Sequence, residues 1–363
     1  MAKLTIRESN DCKHDFMSVG AIVRRLDPGV IPLHEATHYE MHCSGGEYNP
    51  AAALARTFGL RTAVLSASVE YPAGWWIATQ ARKMGVETYF KWFPYDGVGN
   101  PRIAAIYSDR GYGVRPPEVW YDRANEAGAL LKPGDFDFED LFGVRGVRWF
   151  HSGGIFAALS ATTGPLIIQG MQAARKNGVV ASYDLNFREK LWKGSGGAER
   201  GVEVNRSIAQ NVDVLFGNEE DLQLGLGIQG PDVSSHKSKL DTENFRVMIE
   251  RVIAAYPNIK LAATTLREVH SAARHSWKAV MWYDGEFYES PACELDIYDR
   301  VGGGDGFASG LMYGLLTGEE PLASLKLGWA HGALLTTYPG DVSMARLDQV
   351  KRLAEGGSAR IQR

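Results

Sequence analysis

DRVGGGDGFASGLMYGLLTG, residues 299–318, decides how the rest of the chain reads. Gly302, Gly303 and Gly304 run into Asp305, and a helical pattern follows. Phe307, Leu311 and Leu315 recur every fourth residue, so they share one helix face. Gly318 supplies the stop signal. Without Cβ atoms, the glycines let successive backbone N–H groups turn towards one concave point. The helix N-terminus adds free N–H groups and a partial positive charge, which together make an anion site, most often for phosphate. Asp305 at the mouth of that site has two readings. It is an N-cap after a glycine turn. Alternatively, if the anion is a phosphoryl group in transfer, Asp305 takes the proton from the attacking hydroxyl.

Around this stretch lies a chain of 363 residues, long enough for one large domain or two with a substantial core. Hydrophobic residues make up 45% and charged residues 23%, the balance of a globular protein in water. A net charge of -4, with no dense Lys/Arg stripe, argues against nucleic acid as a partner. Cys12, Cys43 and Cys293 are too few and too widely spaced for a zinc pattern or a disulfide framework. They fit bystander thiols in a reducing cytoplasm. MAKLTIRESNDCKHDF carries charges and lacks the apolar region of a signal peptide. No apolar run reaches membrane-spanning length, so a membrane partner is not expected.

Upstream, residues 1–15 read as a short polar leader and Phe16–Val23 as a first strand, with Asp27, Pro28 and Gly29 as turn signals. His34–Cys43 reads as a strand of a smaller sheet. The alanine-rich run after Pro50 is a helix closed by Gly59, and RTAVLSASV is a buried strand. This order predicts a parallel α/β sheet. From Val86 to Arg123 short aromatic, turn-rich segments predict an antiparallel excursion, the kind of small sheet that serves as a lid. Further strands are expected at 144–154, 178–188, 213–217 and 260–265, with helices at 165–176, 245–256 and 324–337. The polar stretch 225–243, with Ser234, Ser235 and Ser238, reads as a mobile loop.

Several constellations carry chemistry, each with a plainer alternative. Gly45-Gly46 before a helix permits close approach of a ligand, and Asn49 offers a donor and an acceptor. The alternative is a loop and a helix start. Asp184, Asn186 and Arg188 alternate at the end of a buried strand, where ligands bind in α/β sheets. Arg188 suits a carboxylate or phosphate, or the three form a surface ion-pair cluster. Asn218 to Asp221 suits water-mediated Mg²⁺, or it is an acidic helix N-terminus. Tyr107, Arg115, Tyr121 and Arg123 suit a small polar substrate, or they pack a sheet face. His151 reads as a packed histidine.

The order GGEYN, DLNFR, NEED, GGGD resembles that of the ribokinase-like, PfkB-type carbohydrate kinases. The resemblance runs from about Phe16 to Leu353. Within the family it is strongest to the 2-keto-3-deoxygluconate kinases, through GGEYN, WYDRAN (120–125), DLNFREKLW (184–192), TTLRE (264–268) and DRVGGGD. It implies a three-layer α/β/α sandwich with a mostly parallel sheet, formed by a kinase domain over 16–353. The lid segments would lie at about 24–43 and 86–123, after the leader 1–15. It implies ATP and Mg²⁺, with phosphorylation of the 6-hydroxyl of a keto-deoxy sugar acid. Asp305 would then be the base and the Gly302, Gly303 and Gly304 amides the anion hole. Arg188 would meet the acceptor's carboxylate. Gly45, Gly46, Asn49 and Tyr107 would contact the sugar, with Tyr121 and Arg123 nearby on the lid. Asn218, Thr264, Thr265, Arg267, Gly304 and the segment around His331 would border the nucleotide. Asn218 and Asp221 would hold Mg²⁺ through water.

Three positions depart from the family pattern. Ala21 follows Gly20 where Glu is frequent, Asp221 stands where Glu is usual, and Arg300 stands where many relatives carry Thr. Arg300 weakens the inference of a monovalent-cation site. A lid sheet can pair between copies, which admits a homodimer. Three other functions remain in view: a kinase of a neutral sugar or nucleoside, a dinucleotide-binding oxidoreductase, and a sugar sensor that has lost catalysis. The oxidoreductase fits poorly, because its glycine fingerprint belongs on the first βα turn with an acid some twenty residues on.

Overall fold

Runs of apolar and β-branched residues without polar alternation become strands covered on both faces. Strands β1 (His14–Val19) and β4 (Thr62–Val69) are buried at every position. The computed structural model describes residues 3–99, 101–230 and 242–357. The part of the expected mobile loop that carries Ser234, Ser235 and Ser238 lies outside the described residues.

Two small-sheet strands follow β1, namely β2 (Val23–Asp27) and β3 (Glu40–Ser44). After β4 come β5 (Val86–Phe93), β6 (Ala105–Ser108) and β7 (Val119–Asp122). The later strands are β8 (Val147–Gly153), β9 (Val180–Asp184), β10 (Val214–Phe216), β11 (Leu261–Ser271), β12 (Arg274–Tyr283), β13 (Glu286–Glu289) and β14 (Cys293–Asp296). The large sheet runs β13-β12-β11-β10-β9-β8-β1-β4-β5, with β14 beside β12. It is parallel from β11 to β5 and antiparallel among β11, β12, β13 and β14. From β1 the chain builds outward to β4 and β5, then crosses to β8 and builds the other way. The topological switch point therefore lies between β1 and β8, where a ligand crevice is expected beyond the carboxyl ends.

Helices cover both faces. On β8 a Cβ on Gly170, from helix Thr163–Lys176, would lie 2.8 Å from the Phe150 ring. On the opposite face His151 meets Phe216, and Phe216 meets Phe307 of helix Gly303–Leu316 edge-on at 6.3 Å. The small sheet runs β3-β2-β6-β7.

Four boundaries differ from the sequence expectation. The strand expected over Phe16–Val23 is two strands in two sheets, because the chain leaves the large sheet at Gly20. A Cβ there would lie 2.2 Å from Glu47 Oε2. The strand expected over His34–Cys43 narrows to β3. The excursion expected from Val86 begins only after Phe93, since β5 pairs in parallel with β4 as the edge of the large sheet. An edge strand is half-covered, so its aromatic composition resembles that of a small sheet. The leader expected over 1–15 is packed on the domain from Leu4 onward. Arg7 donates to the Phe142 carbonyl at 2.7 Å, and Asp15 is held by Arg61 and Arg148. Helices Gly197–Ala209 and Leu347–Ala354 have no counterpart in the sequence expectation. Among the described residues no helix is long and apolar enough to cross a membrane.

Candidate active site

Helix Gly303–Leu316 starts where the glycine run predicted, and Gly302 precedes it at φ 83°. That left-handed conformation suits glycine, and a Cβ there would lie 2.4 Å from the Asp341 carbonyl oxygen. Gly304 faces open space, with nothing within 4 Å of where a Cβ would stand. Asp305 is the third residue of the helix and accepts a hydrogen bond from Asn49 Nδ2 at 2.7 Å. Asn49 Oδ1 in turn accepts from Gly45 N at 3.3 Å. Two glycine motifs far apart in sequence thus meet through one amide side chain.

A cavity of about 770 Å³ opens here, at the carboxyl ends of the parallel strands and under the small sheet. Gly45, Gly46, Asn49, Tyr121, Arg123 and Arg188 all line it. Asn218, Asp221, Thr264, Thr265 and Arg267 line it as well, together with Gly302, Gly303, Gly304 and Asp305. Asp184 and Asn186 join them, so the alternation read at Asp184, Asn186 and Arg188 faces one hollow. Tyr107 and His331 are corrections, because neither lines the cavity. Tyr107 sits opposite Trp120 in the β6–β7 pairing and packs edge-on against Tyr39, while Ile106 and Ser108 take the inner face. His331 is buried behind the helix start, with Nδ1 2.6 Å from the Gly306 carbonyl oxygen. Arg115 instead bonds the Val30 carbonyl and Asp109. His151 is packed as expected, against Phe16 and Ser182.

The acids on the floor are short of counter-charge. Enclosure pushes the Asp305 carboxyl up to about 7, against the opposing pull of Asn49 and Arg188. Burial, with Asp221 and Asp305 nearby, holds Asp184 well above the usual carboxylate range. Glu47 was not singled out in the sequence, although it lies inside GGEYN. It is buried, Oε1 has no hydrogen-bond partner, and burial raises its carboxyl to about 8. Arg188 lowers Asp184, Asp221 and Asp305 alike and makes no ion pair among the described residues. At the far end Arg267 lies over the Trp277 ring at 5.3 Å, and burial beside Arg300 lowers it to about 10. Neither arginine has a carboxylate partner among the described residues, which leaves that end of the cavity positive.

Asn218 and Asp221 form a capping box at the start of helix Glu219–Leu226. Asp221 Oδ2 accepts from Asn218 N at 3.0 Å and Oδ1 from Phe187 N at 2.9 Å. The helix-start alternative is therefore realised. Each oxygen keeps a second lone pair and Asp221 lines the cavity, which suits a hydrated Mg²⁺ better than a directly bound one. Among the described residues no three His, Cys, Asp or Glu side chains converge as a cage.

The junction with the small sheet is built differently. Arg25 on β2 is buried and donates to Asp341 at 2.8 Å and Asp299 at 2.6 Å, with Asp27 at 3.4 Å. Arg110 donates to Asp27 at 2.9 Å and stacks on Tyr298. Asp299 also accepts from the Val301 and Gly340 amides. Burial opposes the Arg25 charge, but Asp341 and Asp299 outweigh it and raise its pKa. This network ties β2 through Asp299 to the loop that carries Gly302, and through Asp341 to the segment whose carbonyl packs against Gly302.

The later glycines of the 299–318 stretch have a packing role. Gly306, Gly310 and Gly314 face helix Pro321–Leu335, where a Cβ on Gly310 would lie 2.6 Å from the Leu327 carbonyl oxygen. They let two helices approach closely and do not cradle a ligand.

Comparison with known proteins finds relatives along nearly the whole chain. A 2-dehydro-3-deoxygalactonokinase of Haloferax volcanii is 30% identical over 350 residues, covering 96% of this chain and 99% of that protein. A 2-dehydro-3-deoxygluconokinase of Bacillus subtilis is 27% identical, covering 85% of each chain. The crystal structure of a 2-dehydro-3-deoxygluconokinase from Thermotoga maritima superposes with a TM-score of 0.85 at 32% identity, covering 94% of this chain and 99% of that one. Residues 13–347 match the profile of the pfkB family carbohydrate kinases, and the chain belongs to that family.

Proposed function

We propose that this kinase transfers the γ-phosphoryl group of ATP to the 6-hydroxyl of a 2-dehydro-3-deoxy sugar acid. One observation carries the reading: a single cavity holds a proton-accepting acid at a helix N-terminus and, elsewhere on its wall, an arginine without a carboxylate partner. The names of the relatives support the acceptor class. Asp305 takes the proton of the attacking hydroxyl, and Asn49 fixes the carboxylate that does so. The Gly302, Gly303 and Gly304 amides and the helix N-terminus stabilise charge on the phosphoryl oxygens. Positioning and charge supply most of the rate in such a loose transition state. Arg188 holds the acceptor's carboxylate. Gly45, Gly46, Tyr121 and Arg123 border the sugar. Thr264, Thr265 and Arg267, with Arg300, border the nucleotide. Mg²⁺ held through water by Asn218 and Asp221 would neutralise phosphate charge there.

We read the small sheet as the lid, and its outer face, with exposed Met41 and Trp120, as a surface for a homodimer. The three free cysteines fit a cytoplasmic enzyme. The deciding experiment is a panel of 2-dehydro-3-deoxygluconate, its galacto epimer, fructose, ribose and adenosine with ATP and Mg²⁺, scored by ADP release. Turnover is expected with the two acids. Preference for a neutral sugar would replace the acceptor assignment.

A further inference from the structure

Glu47 is a buried acid of the cavity that the mechanism above leaves without a task. It follows the Gly45-Gly46 turn, and its carboxyl lies across the carboxyl ends of the two central strands. A Cβ on Gly20, just after β1, would lie 2.2 Å from Glu47 Oε2, and one on Gly153, at the end of β8, 3.0 Å from Oε1. These two strands flank the switch point, so the carboxyl occupies the floor of the ligand crevice. Only glycine leaves room for it at either strand end. Its main chain is anchored, since Ser18 Oγ donates to the Glu47 carbonyl oxygen at 2.8 Å. Yet Oε1 is buried and without a hydrogen-bond partner. A buried polar atom with no partner is costly, so such an atom in a ligand crevice points to a partner that arrives with the ligand.

We propose that Glu47 is an acceptor-binding residue, whose carboxyl hydrogen-bonds an oxygen of the sugar on the cavity floor. The charged groups around it indicate the form in which it acts. Asp305 on helix Gly303–Leu316 and Asp184 at the end of β9 repel a second negative charge, and Arg123 beyond β7 opposes them only in part. The Tyr183 phenol on β9 also lies within the field of Glu47. Burial and these neighbours keep the carboxyl protonated up to about pH 8. The neutral acid donates through its O–H. Glu47 thus reads a hydroxyl or keto oxygen, while Arg188 reads the acceptor's carboxylate.

The inference rests on the proposed reading of the cavity as an acceptor site, and two variants test it apart from that reading. With the acceptor that the panel identifies, Glu47→Ala is expected to raise the acceptor KM about tenfold, the worth of one such hydrogen bond, with the ATP KM unchanged. Glu47→Gln, which keeps a donor of the same shape, is expected to restore most of that loss at pH 7. The wild-type acceptor KM should rise as pH passes 8, and the Glu47→Gln KM should stay level. A merely structural role predicts parallel pH profiles for the two proteins, and that result overturns the proposal. So does an acceptor KM in Glu47→Ala equal to the wild-type value. Should Glu47→Ala not fold, the wild-type and Glu47→Gln pH profiles decide alone. Failure of every sugar acid in the panel defeats the acceptor class and leaves Glu47 to be tested on the sugar that works.

Discussion

At the junction of the two sheets, Asp27, Asp299 and Asp341 are answered by the guanidinium groups of Arg25 and Arg110. On the cavity floor, Glu47, Asp184 and Asp305 face one another, with Arg188 and Arg123 as incomplete counter-charge. Both regions take carboxyl groups out of water, but only the first supplies cationic partners within bonding distance. The difference separates structure from chemistry. Paired charges fix β2 against the loop that carries the glycine turn. The unanswered acids hold protons near neutral pH, the condition a general base needs in order to exchange one.

The largest expected effect breaks the chemical half. Asp305→Asn should lower turnover about 10³-fold or more while the ATP KM stays within a small factor, since general-base catalysis accounts for roughly 10²–10⁴ in rate. Steady-state ADP release measures it, and near-normal turnover would end the base assignment.

Next comes the structural half. Arg25→Met leaves Asp299 and Asp341 buried without their guanidinium, a loss of about 3–5 kcal/mol. Urea unfolding at neutral pH should show it as a lower midpoint. An unchanged midpoint would mean that the junction does not hold the small sheet.

Arg188→Ala is expected to raise the sugar-acid KM about 10- to 100-fold, as for a lost charge-assisted contact of about 1.5–3 kcal/mol. Affinity for a neutral sugar should not change. Equal effects on both classes would remove the carboxylate contact from the comparison.

The smallest effect is on stability. Asp305 and Glu47 have folded values raised above their ordinary ones, to about 7 and about 8. The native state therefore binds protons that the unfolded chain releases, and stability is lost as pH rises from the ordinary carboxylate range towards 8. Asp305→Asn removes one such group, so its melting temperature should exceed the wild-type value by about 2–4 °C at pH 8 and match it near pH 4. A gap independent of pH would sharpen the comparison differently, by placing the cost in shape and not in charge.

Much of the site was legible because its motifs are local. A glycine run before an apolar periodicity places a helix N-terminus whatever surrounds it, and Gly302 to Asp305 stand there. Asp184, Asn186 and Arg188 share a side by alternation alone. Tyr107 fails for a related reason: a period of two tells which residues share a face, and the partner strand decides which face turns inward. With Tyr107 opposite Trp120, that face is the outer one. His331 sits on a helix that is apolar nearly all round, so no stripe marks its direction.

What the sequence by itself determined is the α/β order, the helix that presents Asp305, and the set of polar motifs at strand ends. These depend on spacing and on backbone freedom within a few residues. Only the tertiary structure decided which carboxyls would be paired. Arg25 meets Asp299 and Asp341 across some three hundred residues, and Glu47 is enclosed by glycines from two other segments. The charge state of an acid is set by the solvent and partners that packing leaves it, and packing brings those partners from distant parts of the chain.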